Sequence, residues 1–149
     1  MKKTVFEKLL WDNDYISFSK TRDVHLVCMF TADNMPTFSV TYIPRGSSAI
    51  DGIKPSNDTV NLANLRKDLL NLAEDELFVL GRLPECDYRI GLPELEAYYK
   101  KNGDKSNPEL FYMRHATTIS RIHCFIKKTE DGKFALFDCS TAGVCIMLN

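Results

Sequence analysis

The sequence predicts an all-β sandwich carrying one or two short helical insertions. Three observations carry that prediction. Seven short segments show the alternation or the dense apolar runs of strands. Turn residues separate most of them. Only two stretches break the rhythm with helical spacing, and many short strands with few helices favour two packed sheets.

The strand segments run in order. "DYISFSK" (14–20) alternates apolar positions with serines, "DVHLVCMF" (23–30) is denser, and "TFSVTYI" (37–43) alternates again. "ELFVLGR" (76–82), "IHCFIKK" (122–128), "KFALFD" (133–138) and "GVCIML" (143–148) follow. "TADNMP" (31–36) is expected to join two antiparallel strands, and Asp131-Gly132 in "TEDGK" marks a hairpin. Leucines 62, 65, 69 and 72 predict a helix over 56–76, capped by Ser56, Asp58 or Thr59. "LPELEAYYKKNG" (92–103) predicts a second, short helix, with Pro93 in its first turn and Gly103 at its stop. Residues 103–116 read as a long loop.

At 149 residues the chain is long enough for one domain with its own core. A net charge of −1 gives no global reason to bind nucleic acid or an anionic membrane, so any anion site must be local. The N-terminal "MKK" is not followed by a signal-peptide core, and no stretch approaches a membrane span. The chain is expected to be intracellular, with cytoplasm and nucleus undistinguished. The five cysteines, 28, 86, 124, 139 and 145, are odd in number and form no CxxC. They read as structural thiols rather than disulfide or zinc ligands.

Three kinds of chemistry compete for "TTISRIHCFI" (117–126). His123 beside Cys124 invites a nucleophile pair, but neighbours on a strand point to opposite faces. Ser120, His123 and Asp138 could mimic a triad, yet no nucleophile elbow frames the serine. No catalytic residue is therefore assigned, and the chain is read as a non-enzyme. The three histidines, 25, 115 and 123, show no metal-ligand spacing, so no metal or other cofactor is expected. Anion binding fits better. Arg82 follows Gly81 at a strand end, Ser120 and Arg121 precede a strand, and "STAG" (140–143) follows another. Loops of one sandwich can gather at one end, where arginine, hydroxyl and backbone N–H groups grip a phosphate.

Four motifs in order resemble the forkhead-associated (FHA) domain, a sandwich of the SMAD/FHA type. They are "GRLPECDYRI" (81–90), "ISRIHCFI" (119–126), "DGKFALFD" (131–138) and "STAG" (140–143). The resemblance covers 76–148, interrupted by an insertion at 91–117. It implies a non-catalytic module that binds phosphothreonine in a protein partner through loops at one end. It further implies that Arg82 and Ser120 contact the phosphate, that Arg121 and Thr141 touch the peptide, and that Gly81, His123 and Gly143 are structural, His123 by bracing the loops. Lys100, Lys101, Lys105, Arg114 and His115 of the insertion could reach a ligand from beside those loops.

The sequence departs from the family pattern. Ala142 stands where an asparagine usually bonds the peptide backbone, a loss of about 1–3 kcal/mol if the partner group stays buried and unpaired. Val144 and Met147 replace a usual threonine and asparagine. These changes support a second reading, an FHA-like structural or oligomerisation module, possible as a homo-oligomer, that has lost phosphate binding. Residues 8–20 resemble a closing signature that family members carry after the last motif. The expectation is one circularly permuted domain over 1–149. Residues 1–30 would supply closing strands and 37–43 and 76–148 core strands, with insertions at 54–75 and 91–117. A truncated domain with an unrelated N-terminal half is the alternative.

Overall fold

A computed structural model describes residues 1–12, 24–42, 56–102, 107–116, 119–140 and 143–147. The expected strand at 14–20, Thr141 and Ala142 lie outside the described residues. Helix α1 (Lys3–Asp12) leads into β1 (His25–Phe30), β2 (Thr37–Tyr42) and β3 (Ser56–Asn61). A 3-10 turn (Leu62–Leu65) runs into the short helix α2 (Arg66–Leu70). Then come β4 (Phe78–Gly81), β5 (Tyr88–Arg89), α3 (Leu92–Asn102), α4 (Pro108–His115), β6 (Ile122–Lys128), β7 (Phe134–Asp138) and β8 (Cys145–Met147).

The described strands form two sheets, ordered β1-β7-β6-β4-β5 and β3-β2-β8. All pairs are antiparallel except β4 with β5. The sheets face each other across one core. Phe30, Phe78, Leu80, Cys124, Ile126, Phe134 and Leu136 come from the larger sheet, and Phe38, Val40 and Val60 from the smaller. This is the β-sandwich that the strand count predicts. A second cluster lies on the outer face of the larger sheet, where Phe6 of α1 meets Phe125 at 5.1 Å between ring centroids. Strand β4 is thus covered on both faces: Phe78 and Leu80 point into the sandwich, and Val79 points outward to the second cluster. Two-sided burial is why "LFVL" reads as a continuous apolar run rather than an alternating one.

Several expectations are corrected. The N-terminal stretch read as closing strand begins with helix α1, because Phe6 and Leu9 repeat at helical spacing and bury one face against the sheet. Within the expected helix 56–76, Ser56–Asn61 is instead strand β3, paired along its length with β2. Ser, Asn, Asp and Thr are poor helix-interior residues, and β2 offers this segment a ladder of backbone partners. The helical turns start only after Asn61, whose side chain caps them by accepting from Ala63 N–H at 3.1 Å. The long loop expected at 103–116 contains α4. Its start carries Asn107 as N-cap, accepting from Glu109 N–H at 2.8 Å, followed by Pro108. Finally, 31–36 does not join a hairpin. It carries the chain from β1 in one sheet to β2 in the other. The hairpin at 129–133 forms as expected, with Gly132 at φ 77°.

The larger sheet has an irregularity that the site depends on. Leu80 pairs with Cys124, but Gly81 pairs with Ile122, leaving His123 as an extra residue in β6. This is a β-bulge, and it turns Ile122 toward the outer cluster while Cys124 faces the sandwich. The bulge brings backbones together at Gly81. A Cβ there would lie 2.3 Å from the Arg121 carbonyl oxygen and 3.0 Å from the His123 nitrogen. Both obstacles are backbone, so neither can rotate away. Gly81→Ala is expected to destabilise the protein by about 2–4 kcal/mol, measured by denaturant unfolding.

Candidate functional site

The site grows from the bulge. His123 is fully buried. Its Nδ1 accepts from the Ser120 backbone N–H at 3.1 Å, so the ring proton resides on Nε2. Nε2 then donates to the Gly143 carbonyl at 2.9 Å. One imidazole therefore ties the loop before β6 to the loop after β7. That second loop is closed by its own side chains. Asp138 Oδ1 accepts from Ser140 N–H at 2.9 Å and from the Ser140 hydroxyl at 2.6 Å. The same serine oxygen accepts from Gly143 N–H at 2.8 Å. Gly143 sits at φ 91°, a region that favours glycine.

Arg82 enters from the other side. Its backbone N–H is shared between the carbonyls of Ser120 at 3.2 Å and Arg121 at 3.0 Å. Its side-chain Nε donates to the Ile119 carbonyl at 3.0 Å. Gly81-Arg82, Ile119–Arg121, Ser140 and Gly143 thus meet at one end of the sandwich. This arrangement agrees with a comparison against known families, in which residues 78–149 match the model of the FHA domain. This stretch is thus similar to an FHA domain. No curated protein and no solved structure matches the chain significantly.

FHA domains are phosphopeptide-binding modules, and the residues expected to serve that role divide by placement. Arg82 is half-buried, Ser120 is buried at 8% exposure, and Arg121 is exposed beside them. Thr141 lies outside the described residues. Gly81, His123 and Gly143 occupy the joints between the loops. Among the insertion's cations, Lys100 and Lys101 are exposed at the C-terminal end of α3, while Lys105 lies outside the described residues. Of the departures from the family pattern, Val144 packs against the sandwich core and Met147 is exposed on β8.

The nucleophile reading finds no support in this geometry. Both ring nitrogens of His123 are engaged by backbone groups rather than by a thiol. Burial holds the Cys124 thiol well above its ordinary range, and it pushes the Cys86 thiol up to about 12. Cys86 Sγ lies 3.4 Å from the Arg121 carbonyl, as a donor to it. These are packed, protonated thiols.

Sequence reasoning missed Arg89. It follows the motif's aspartate on β5, and no local signal marks it. Its Nε and one terminal nitrogen donate to the Arg82 carbonyl at 3.1 and 2.9 Å. Its two terminal nitrogens also take both oxygens of Glu109 on α4 at 2.7 Å each. The guanidinium lies 4.5 Å over the Tyr112 ring, and the Tyr112 hydroxyl donates to the Ile90 carbonyl. The bonds from Glu109 hold Arg89 above its ordinary pKa, and those from Arg89 hold Glu109 below its own.

Two outcomes follow. His123→Ala strands the Ser120 N–H and the Gly143 carbonyl, and should cost about 2–4 kcal/mol. Amide exchange at Ser120, whose N–H loses its acceptor, should rise beyond the global change, which hydrogen exchange by NMR measures. Glu109, with its lowered pKa, contributes stability above pH 4.5 that is lost as pH falls through its folded-state value. Its carboxylate is 46% exposed, so screening limits the pair to about 1 kcal/mol or less. The stability advantage of wild type over Glu109→Gln should be present at pH 7 and vanish toward pH 3 in urea titrations.

Proposed function

We propose that this domain reads phosphothreonine in a protein partner and catalyses no reaction. The reading is supported by one arrangement above all. Arg82 and the Ser120-Arg121 loop are bonded to each other through backbone groups, and the loop is fixed from behind by buried His123. A guanidinium and a hydroxyl held in adjacent loops suit the charge-assisted hydrogen bonds of phosphate recognition. Ser120 is the hydroxyl assigned to the phosphate, Arg121 and Thr141 the contacts to the surrounding peptide.

Arg82→Ala should weaken binding of a phosphothreonine peptide at least about 30-fold, since it removes charged hydrogen bonds worth about 2 kcal/mol or more. Fluorescence anisotropy against the unphosphorylated twin measures this. Equal affinity of wild type and variant would reject the assignment. Phosphoserine peptides in the same titration test the preference for threonine.

We also infer that the functional domain extends beyond the matched stretch, as one permuted unit over 1–149. In support, β1 pairs with β7 and β2 pairs with β8, so N-terminal strands lie beside strands near the C-terminal end of the match. Residues 78–149 alone would leave β8 with no described neighbour and β7 as an exposed edge. That fragment is expected to show no cooperative unfolding by circular dichroism. A folded fragment would overturn the single-unit reading.

A second reading is favoured by the surface of β1. Among the described strands β1 lies at a sheet edge, and it exposes Leu26 at 54% and Met29 at 50%, beside Val24. An exposed apolar edge suits association between chains. Phosphate-independent self-association in sedimentation would mark the domain as an oligomerisation module.

A further inference from the structure

We propose that Arg89 is a positioning residue for the Arg82 phosphate contact, and that helix α4 sets that position through Glu109. The proposal rests on the phosphopeptide reading of Arg82. It concerns what the insertion between β5 and β6 does for the site.

The backbone of Arg82 is held on both sides of its Cα. Its N–H is taken by the Ser120 and Arg121 carbonyls, and its carbonyl by two donors of Arg89. With both backbone groups fixed, the direction of the Arg82 side chain is limited to its own rotamers, and Ile119 selects among them through Nε. Arg89 is the adjustable member of this set. A guanidinium has five donors in a rigid plane, and among the described residues Arg89 uses them on the Arg82 carbonyl, the Glu109 carboxylate and Met113 Sδ. Glu109 takes the outer nitrogens by a paired contact, and the Tyr112 ring lies against the plane. Both belong to α4. Glu109 thereby fixes the rotation of the Arg89 plane, which fixes where its inner donors meet the Arg82 carbonyl.

The same insertion reaches Arg82 by a second route. Tyr112 and Ala116 are buried in the sandwich core, and the Ala116 carbonyl accepts from Ile119 N–H at 3.0 Å. Ile119 in turn receives the Arg82 Nε. The inserted helix therefore controls the acceptors on one side of Arg82 and the donor on the other. Displacement of α4 would move both together.

The test separates positioning from direct contact by the sign of an effect. The probe is the tightest phosphothreonine peptide selected from a degenerate library, titrated beside its unphosphorylated twin at a temperature where circular dichroism shows every variant folded. Arg89→Lys keeps the charge but lacks the fork. It should weaken phosphopeptide binding about tenfold and lower the ratio over the unphosphorylated twin. Glu109→Gln should also weaken it, by about threefold, because it loosens Arg89. If Arg89 instead met phosphate directly, removing the neighbouring carboxylate would tighten binding, and that result would overturn the proposal. Unchanged affinity in both variants would equally overturn it, leaving Arg82 as the contact. If wild type itself bound no phosphopeptide, the functional reading would fall and this role with it.

Discussion

The architecture of this end of the sandwich depends on one buried imidazole. His123 is an interior polar group that must have both nitrogens satisfied. It meets that demand with backbone groups from two loops that are separate in sequence. The demand can be met only because β6 carries an extra residue at that point. Without the bulge, regular alternation would place the ring on one face of the sheet, and Ile122 and Cys124 would share the other. With it, Ile122 serves the outer cluster, Cys124 serves the sandwich, and His123 bridges Ser120 to Gly143. Gly81 is the counterpart on the facing strand, since no side chain fits against the bulged backbone. Ser140 and Asp138 then hold the far loop in the shape that presents the Gly143 carbonyl. A continuous series of hydrogen bonds runs from Ser120 to the end of β7.

The sandwich around this series is assembled from both halves of the chain. Strands β4 to β8 fall within the FHA match, yet β1 and β2 lie beside β7 and β8. Burial explains why this matters. Phe30, Phe38, Val40 and Val60 are core residues that precede the matched stretch: Phe30 stacks on its cross-strand neighbour Phe134, and Phe38, Val40 and Val60 face Phe134, Leu136 and Ile126 across the core. Helix α1 adds a cover to the outer face, where Phe6, Phe125 and Phe137 continue as a line of rings. Removing the N-terminal strands would thus take away an essential part of the apolar surface, as well as the partner of each edge.

The insertion is packed into this unit rather than hung from it. Phe111, Tyr112 and Ala116 are buried in the sandwich core, so α4 has a fixed relation to the sheets. Glu109 on its exposed side carries that relation to Arg89 and from there to Arg82. Val144, which departs from the family pattern, is likewise used for packing. Both features show positions near the 119–121 loop and Gly143 given over to the core of this particular chain.

Local residue pattern was enough to read most strands, the Asp131-Gly132 hairpin, α3 and the family of the C-terminal half. Alternation, turn residues and short motifs are local properties, and these elements formed where they pointed. His123 is singled out by its motif, and the structure gives it bonds to the Ser120 N–H and the Gly143 carbonyl. The rest depended on partners distant in sequence. Ser56–Asn61 is a strand because β2 lies alongside it, although leucines downstream suggested a helix from its first residue. Residues 31–36 change sheets because β1 finds β7, a hundred residues away, rather than β2. The bulge at His123 arises from the mismatch between β6 and β4, and Arg89 acquires its partners Arg82 and Glu109 only when β5 and α4 meet. Sequence by itself determined which segments could be strands and which residues could meet a phosphate. Tertiary structure alone decided which strands pair, in what register, and what holds Arg82 and the Ser120-Arg121 loop in place, because hydrogen-bond partners and buried neighbours are chosen in space.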